Sequence, residues 1–149
     1  MGWATEEALK IAEDERKREA DRCWQLHVNE IVKRDASEAF NRLSIQVREY
    51  AEEFNLARGY SPLSIETSEN LISVTKAEYP AVCVKLTFIQ NGVRYWSREV
   101  ASMRDPIDSE RLMSFSVKRD GQLYLDGTNH DEIARRVLGK IFGAFKPRD

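Results

Sequence analysis

From Trp24 onward, apolar residues recur three and four positions apart: Trp24, Val28, Ile31, Val32, Ala36, Ala39, Phe40, Leu43, Val47, Tyr50 and Phe54. This spacing is the stripe of one helix face. The run Phe40, Leu43, Val47, Tyr50, Phe54 steps alternately by three and four, as a heptad seam does, but two heptads are too few to establish a coiled coil. We read it as a face packed on the protein's own sheet. The pattern differs between Glu6 and Arg22, where charged residues outnumber all others and Leu9 and Ile11 are the only sizeable aliphatics. Glu6–Lys10, Glu13–Lys17 and Asp14–Arg18 set an acid four residues before a base, each pair supporting a helix by a few tenths of a kcal/mol. Neither Gly nor Pro occurs from Trp3 to Arg58; Gly59 supplies a stop and Pro62 prevents continuation. An unbroken helix of roughly 52 residues would span about 78 Å, more than a small globular remainder can cover. Asp35-Ala36-Ser37-Glu38 resembles a capping box, so a helical hairpin there is the alternative.

Residues 61–127 switch to strand signals. We expect strands near 62–67, 70–76, 81–89, 93–100, 111–119 and 122–126, in an antiparallel meander. Asn91-Gly92 and Asp120-Gly121 each suit a two-residue type I′ turn. Ser68-Glu69 and Glu78-Tyr79-Pro80 mark further turns, and Met103 to Glu110 is the longest connection. A turn at Asn91-Gly92 would pair Phe88 with Tyr95, Leu86 with Ser97 and Val84 with Glu99 on one face. The other face would carry Ile89 with Arg94, Thr87 with Trp96 and Lys85 with Arg98. At the second hairpin Val117 would face Tyr124, Phe115 Asp126, Lys118 Leu123, and Ser116 Leu125. The first face suits the long helix. The second is mixed, and we expect the last helix or another subunit to cover part of it.

That last helix spans 129–143, capped by Thr128 or Asn129 with acids just inside. Ile133, Val137, Leu138, Ile141, Phe142 and Phe145 form its apolar face, while Arg135, Arg136 and Lys140 face out. Gly139 and Gly143 imply close packing on the sheet or a frayed end, and residues 146–149 a loose tail.

Composition narrows the class. The chain has 149 residues, 42% hydrophobic and 32% charged, with 7 Gly and 4 Pro, which excludes disordered and collagenous proteins. No apolar run reaches the roughly 18 residues of a membrane span, no signal peptide opens the chain, and Glu6 spoils the myristoylation motif begun by Gly2. The net charge of −2 gives no global footprint for nucleic acid or anionic membrane. Residues 1–58 carry −3, 59–128 carry −1, and 129–149 carry +2. Cys23 and Cys83 sit among apolar residues and read as small buried side chains in a reducing compartment.

Candidate chemistry is sparse. His27 reads as an ordinary helix residue, and His130 sits at a helix start beside Asp131. A metal site would need Asp126, Asn129, His130 and Asp131 to converge without calcium-loop spacing. Phosphate-binding glycine loops, nucleophile elbows and zinc motifs are missing, and adjacent acids such as Glu52-Glu53 diverge on a helix. One cluster stands out: Arg94, Trp96 and Arg98 share a sheet face with Lys85. An aromatic between cations can anchor a protein partner or stack a base. The plainer alternative is Trp96 packed beneath the C-terminal helix with the arginines at its rim.

The sequence therefore describes an α+β chain: a charged helical extension over 1–22, then one domain over 23–149. Its expected role is a non-enzymatic, cytoplasmic protein-interaction module, adaptor or chaperone-like, that self-associates as a dimer through the long helix or the sheet and meets a protein partner through Lys85, Arg94, Trp96 and Arg98. No cofactor or metal is expected. One alternative is a small-molecule carrier with a pocket lined by Val84, Leu86, Phe88, Tyr95, Phe115 and Val117. Another is a single-stranded nucleic-acid binder using the Arg94, Trp96, Arg98 face.

Overall fold

The breaker-free segment forms one continuous helix, α1 (Trp3–Arg58), ended by Gly59 in the left-handed conformation at φ 79°. The computed structural model describes residues 2–90, 92–101 and 105–145. The hairpin alternative at 35–38 is not adopted. Asp35 does not cap a helix but takes two hydrogen bonds from the Arg34 guanidinium (2.9 and 3.1 Å), which hold its carboxyl below the usual carboxylate range. Ala36 beside it is buried in the apolar stripe.

Six antiparallel strands follow in sequence order: β1 (Leu63–Ser68), β2 (Leu71–Lys76), β3 (Ala81–Ile89), β4 (Gly92–Val100), β5 (Ile107–Val117) and β6 (Leu123–Leu125). The chain closes with α2 (His130–Gly143), capped by the Asn129 side chain, which accepts the Glu132 N–H at 2.9 Å. The α+β architecture is as expected, a long helix and a short one on a six-stranded meander.

The registers differ from expectation in instructive ways. Phe88 pairs with Val93, Leu86 with Tyr95, Val84 with Ser97, and Lys85 with Trp96, so β3 and β4 are shifted by two residues. An even shift leaves every side chain on its expected face. Gly92 is a strand residue with no left-handed φ; a Cβ there would lie 2.3 Å from the Met113 carbonyl oxygen, so the glycine lets β4 approach β5. Asn91 lies outside the described residues.

At the next hairpin the shift is one residue: Val117 faces Leu123, Ser116 faces Tyr124 and Phe115 faces Leu125. Only Gly121 has positive φ (74°), the Gly121 N–H bonds the Lys118 carbonyl at 2.9 Å, and Lys118 N–H reaches Gln122 O at 3.3 Å. This is a three-residue loop with a glycine bulge, which changes the register by one relative to a two-residue turn. The two-residue turn with both central φ positive sits instead at Asp126 (51°) and Gly127 (71°), where Leu125 and Thr128 exchange backbone hydrogen bonds. Strand β5 also begins at Ile107, within the segment expected to be a connection. Its polar start is held to β4 by charge pairs, Arg98–Asp108 and Arg94–Glu110. Met103 of that connection and the tail 146–149 lie outside the described residues.

Both helices lie on one face of the sheet. Phe40, Leu43, Val47 and Ala51 of α1 and Ile133, Val137, Leu138 and Ile141 of α2 close over Ile72, Val74, Val84, Leu86, Val93 and Met113. Phe54 stacks on Phe142 with ring centroids 4.3 Å apart. The Tyr50 hydroxyl donates to Asp131, which also pairs with Arg135 at 3.1 Å, joining the helices by polar contacts. Lys76 is buried on this face, where its ammonium donates to the carbonyls of Pro80 (2.7 Å) and Glu78 (3.1 Å); burial pushes its pKa down, and the Glu78 charge opposes the shift. The expectation that α2 covers the second sheet face is therefore corrected. Gly139 and Gly143 do not mark close packing either, since a Cβ at each would meet nothing within 4 Å.

Burial on α1 begins at Ile31; residues 3–30 contribute no buried side chain. That arm runs about 42 Å at 1.5 Å per residue. Trp3 is 77% exposed and Trp24 47%. Cys23 on the arm is exposed and Cys83 on the sheet is half-buried, so neither is the fully buried thiol expected. No described helix is long and apolar enough to cross a membrane.

Candidate functional site

The outer sheet face carries the four residues singled out by the sequence, and the structure brings them together. Pairing sets Lys85 directly opposite Trp96, Thr87 opposite Arg94 and Cys83 opposite Arg98. The Lys85 ammonium lies 5.4 Å from the Trp96 ring centroid and the Arg98 guanidinium 5.6 Å, so the half-buried indole sits between two cations. Trp96 is not beneath α2, which packs on the opposite face. The packing alternative is thereby corrected: its ring is sheltered by charged stems, not by a helix.

Strand β5 adds a feature the sequence reading missed. Arg98 makes a two-pronged bond to Asp108 (2.7 and 2.8 Å), and Arg94 pairs with Glu110 at 3.4 Å. The hydrogen bond to Asp108 raises the Arg98 pKa, and the same bond holds the Asp108 carboxyl below its usual range. Two of the three cations are thus neutralised across the strand. Among the described residues, Lys85 alone of the three has no salt bridge. The partners are unreadable from sequence because Asp108 and Glu110 lie in a segment whose residues signal a connection. Of residues 107–110 only Ile107 is apolar, so no alternation marks a strand there.

The patch offers an amphipathic ring, aliphatic stems and matched charges. It offers no general acid or base in a dry cleft, the arrangement proton transfer chemistry needs. Among the described residues no three His, Cys, Asp or Glu side chains converge as metal ligands. His27 lies beside the Trp24 ring on the arm, centroids 5.8 Å apart, and His130 opens α2 at the rim of a cavity of about 250 Å³ between α1, β6 and α2. Comparison of the chain with protein-family models, with curated proteins and with solved structures finds no match. Of the six residues expected to line a ligand pocket, Val84 and Leu86 are closed in the core and Phe115 lines the 250 Å³ cavity.

A second feature lies on the inner face, along β5. Tyr95, Ser109, Arg111 and Met113 of the sheet and Ile133, Arg136, Val137 and Lys140 of α2 enclose a cleft of about 330 Å³. Three cations and no carboxylate line it. Their carboxylate partners stand outside the lining: Asp126 for Arg111 (3.2 Å), Glu132 for Arg136 (2.8 Å) and Glu99 for Lys140 (3.7 Å). The Lys140 ammonium also donates to the buried Ser97 hydroxyl at 3.0 Å.

Proposed function

We propose that this chain is a non-enzymatic protein-interaction module, a compact platform that carries a helical arm to other proteins and to a second copy of itself. The observation that carries the reading is the arm. Residues 3–30 add nothing to the core, yet they keep helical charge pairs such as Glu13–Lys17 (3.7 Å) and expose Trp3, Leu9, Ile11, Trp24 and Leu26. A segment that buries no side chain, but holds its helical shape and presents aromatic side chains, suits contact outside the domain. Lys85, Arg94, Trp96 and Arg98 supply a further contact patch on the sheet. Arg94 with Glu110 and Arg98 with Asp108 give the patch both signs of charge around an aromatic ring, a mixture that suits a protein surface.

Sedimentation of the full chain at micromolar concentrations tests self-association. We expect a species of twice the mass of one chain that dissociates on dilution. A constant single-chain mass at every concentration would overturn that part of the reading. Disulfide crosslinking through exposed Cys23 reports whether the arms meet, and its absence in a dimer would move the interface to the sheet.

A further inference from the structure

The two long edges of this sheet are finished differently. At β1 the Asn55 side chain grips the strand, accepting the Leu63 N–H (3.1 Å) and donating to its carbonyl (3.0 Å), and Arg48 bonds the Thr67 hydroxyl. The helix thus ties down both ends of that strand, and between these contacts only the backbone groups of Ile65 and Thr67 turn outward. At the other side β6 covers only Phe115–Val117 of β5. Residues 107–112 are paired with β4 alone and are all exposed.

The direction of the unpaired groups follows from Ser114. Its N–H goes to the Asp126 carboxylate (3.1 Å) and its carbonyl takes the Asp126 N–H (2.9 Å), both away from β4. Alternate residues of an antiparallel strand point their backbone groups the same way, so Leu112, Glu110 and Asp108 turn theirs to the open side. Among the described residues nothing pairs with them. Beside this edge lies the cleft of about 330 Å³, floored by Met113, Ile133 and Val137 and rimmed by Arg111, Arg136 and Lys140.

We infer that the β5 edge is a strand-addition site for an extended acidic peptide, whose alternate side chains enter the cationic cleft. Backbone bonding to Asp108, Glu110 and Leu112 holds the peptide, and side chains of one parity reach Arg111, Arg136 and Lys140. Side chains of the other parity lie on the outer face beside Leu112, which is 56% exposed, and beside Asp108 and Glu110, whose carboxylates are engaged by Arg98 and Arg94. A second copy of β5 is a poor occupant. Antiparallel pairing that keeps both inner faces together is centred on Ser109, Glu110 or Arg111. The first sets Asp108 against Glu110, the second sets Glu110 against itself, and the third sets Arg111 against itself. Like charges directly opposite repel. The inference rests on the interaction-module reading and gives it a partner class.

The test uses the full chain and a fluorescein-labelled Thr-Glu-Val-Glu-Val-Glu-Thr peptide, with Thr-Lys-Val-Lys-Val-Lys-Thr as counterpart, read by fluorescence anisotropy. We expect saturable binding of the acidic peptide, at least tenfold tighter than the lysine peptide, with slowed amide exchange at Asp108, Glu110 and Leu112. Glu110→Pro removes an N–H on the open side only, a position where a strand tolerates proline, and should weaken binding at least tenfold with an unchanged circular dichroism spectrum. Should that variant misfold, Arg136→Gln on the outer side of α2 should weaken the acidic peptide severalfold and leave the lysine peptide unaffected. Equal affinity for the two peptides, or binding without slowed exchange at the β5 edge, would overturn the inference. A fall of the sedimenting mass on Glu110→Pro would also overturn it, by making this edge a contact between copies. Peptide binding by a chain that stays monomeric upholds the edge and removes only self-association; a dimer that ignores the peptide does the reverse.

Discussion

Replacing Gly92 by alanine adds one methyl group at the closest approach between β4 and β5. The new Cβ would stand 2.3 Å from the Met113 carbonyl oxygen, a backbone atom that no side-chain rotation can move. An ordinary carbon–oxygen contact is about 3.3 Å or more, so the strands must part locally by about 1 Å. The neighbouring Val93–Met113 pair bears the strain. Because Ser114 bonds away from β4, Met113 bonds toward it. A separation of about 1 Å carries those N–H···O bonds out of range. Val93 and Met113 are both buried, so their backbone groups gain no water in exchange. Two such bonds, at about 1 kcal/mol net each and more if left unsatisfied, give a loss of about 2–4 kcal/mol. The entropy that alanine removes from the unfolded chain returns no more than about 1 kcal/mol. Gly139→Ala is the matched control. It sits within α2 with nothing within 4 Å of the added carbon, and should gain about 0.5–1 kcal/mol. Urea unfolding followed by circular dichroism measures both. A Gly92→Ala variant within about 0.5 kcal/mol of wild type, the range of an ordinary surface change, would show that the β4–β5 approach is not as described. A destabilised Gly139→Ala would show the same of the open space around α2.

Asn55→Ala leaves the Leu63 N–H and carbonyl without their side-chain partner and should cost about 2 kcal/mol in urea; a loss below about 0.5 kcal/mol would mean water replaces the clamp fully. The folded state holds the Lys76 pKa below its unfolded value, so the unfolded chain binds that proton more tightly. Stability owed to Lys76 should therefore rise as pH climbs through the lowered folded value towards about 10.4, and Lys76→Met should flatten the rise; identical pH slopes in the two proteins would refute the burial argument. Trp96→Ala removes a half-buried ring and two cation contacts, and should cost about 1–2 kcal/mol in a thermal melt against the roughly 3–5 kcal/mol of a fully buried tryptophan. A loss above about 3 kcal/mol would show that the outer face is covered in solution.

What the sequence determined by itself is what local physics controls. Uninterrupted helix formers from Trp3 to Arg58, the left-handed stop at Gly59 and the Asn129 cap act within a turn of the backbone, so helix bounds were legible. The alternation through β3 likewise placed Val84, Leu86 and Phe88 on the core side, and a register error of two residues could not disturb it. Lys85, Arg94, Trp96 and Arg98 fall together for the same reason: parity within two strands is enough to share a face. Asp-Gly was also the right turn signal, but two such dipeptides occur, and the bulge at Gly121 with the tight turn at Asp126-Gly127 depends on how β5 meets β6. Only the tertiary structure decided that Asp108 and Glu110 neutralise two of the three cations, because those contacts join residues in different strands. It alone put α2 on the same face as α1, where Phe142 could stack on Phe54 and Asp131 could take the Tyr50 hydroxyl. That choice left Trp96 uncovered and formed the cleft beside β5. An apolar helix face states that it must be buried, but not which of two sheet faces will bury it.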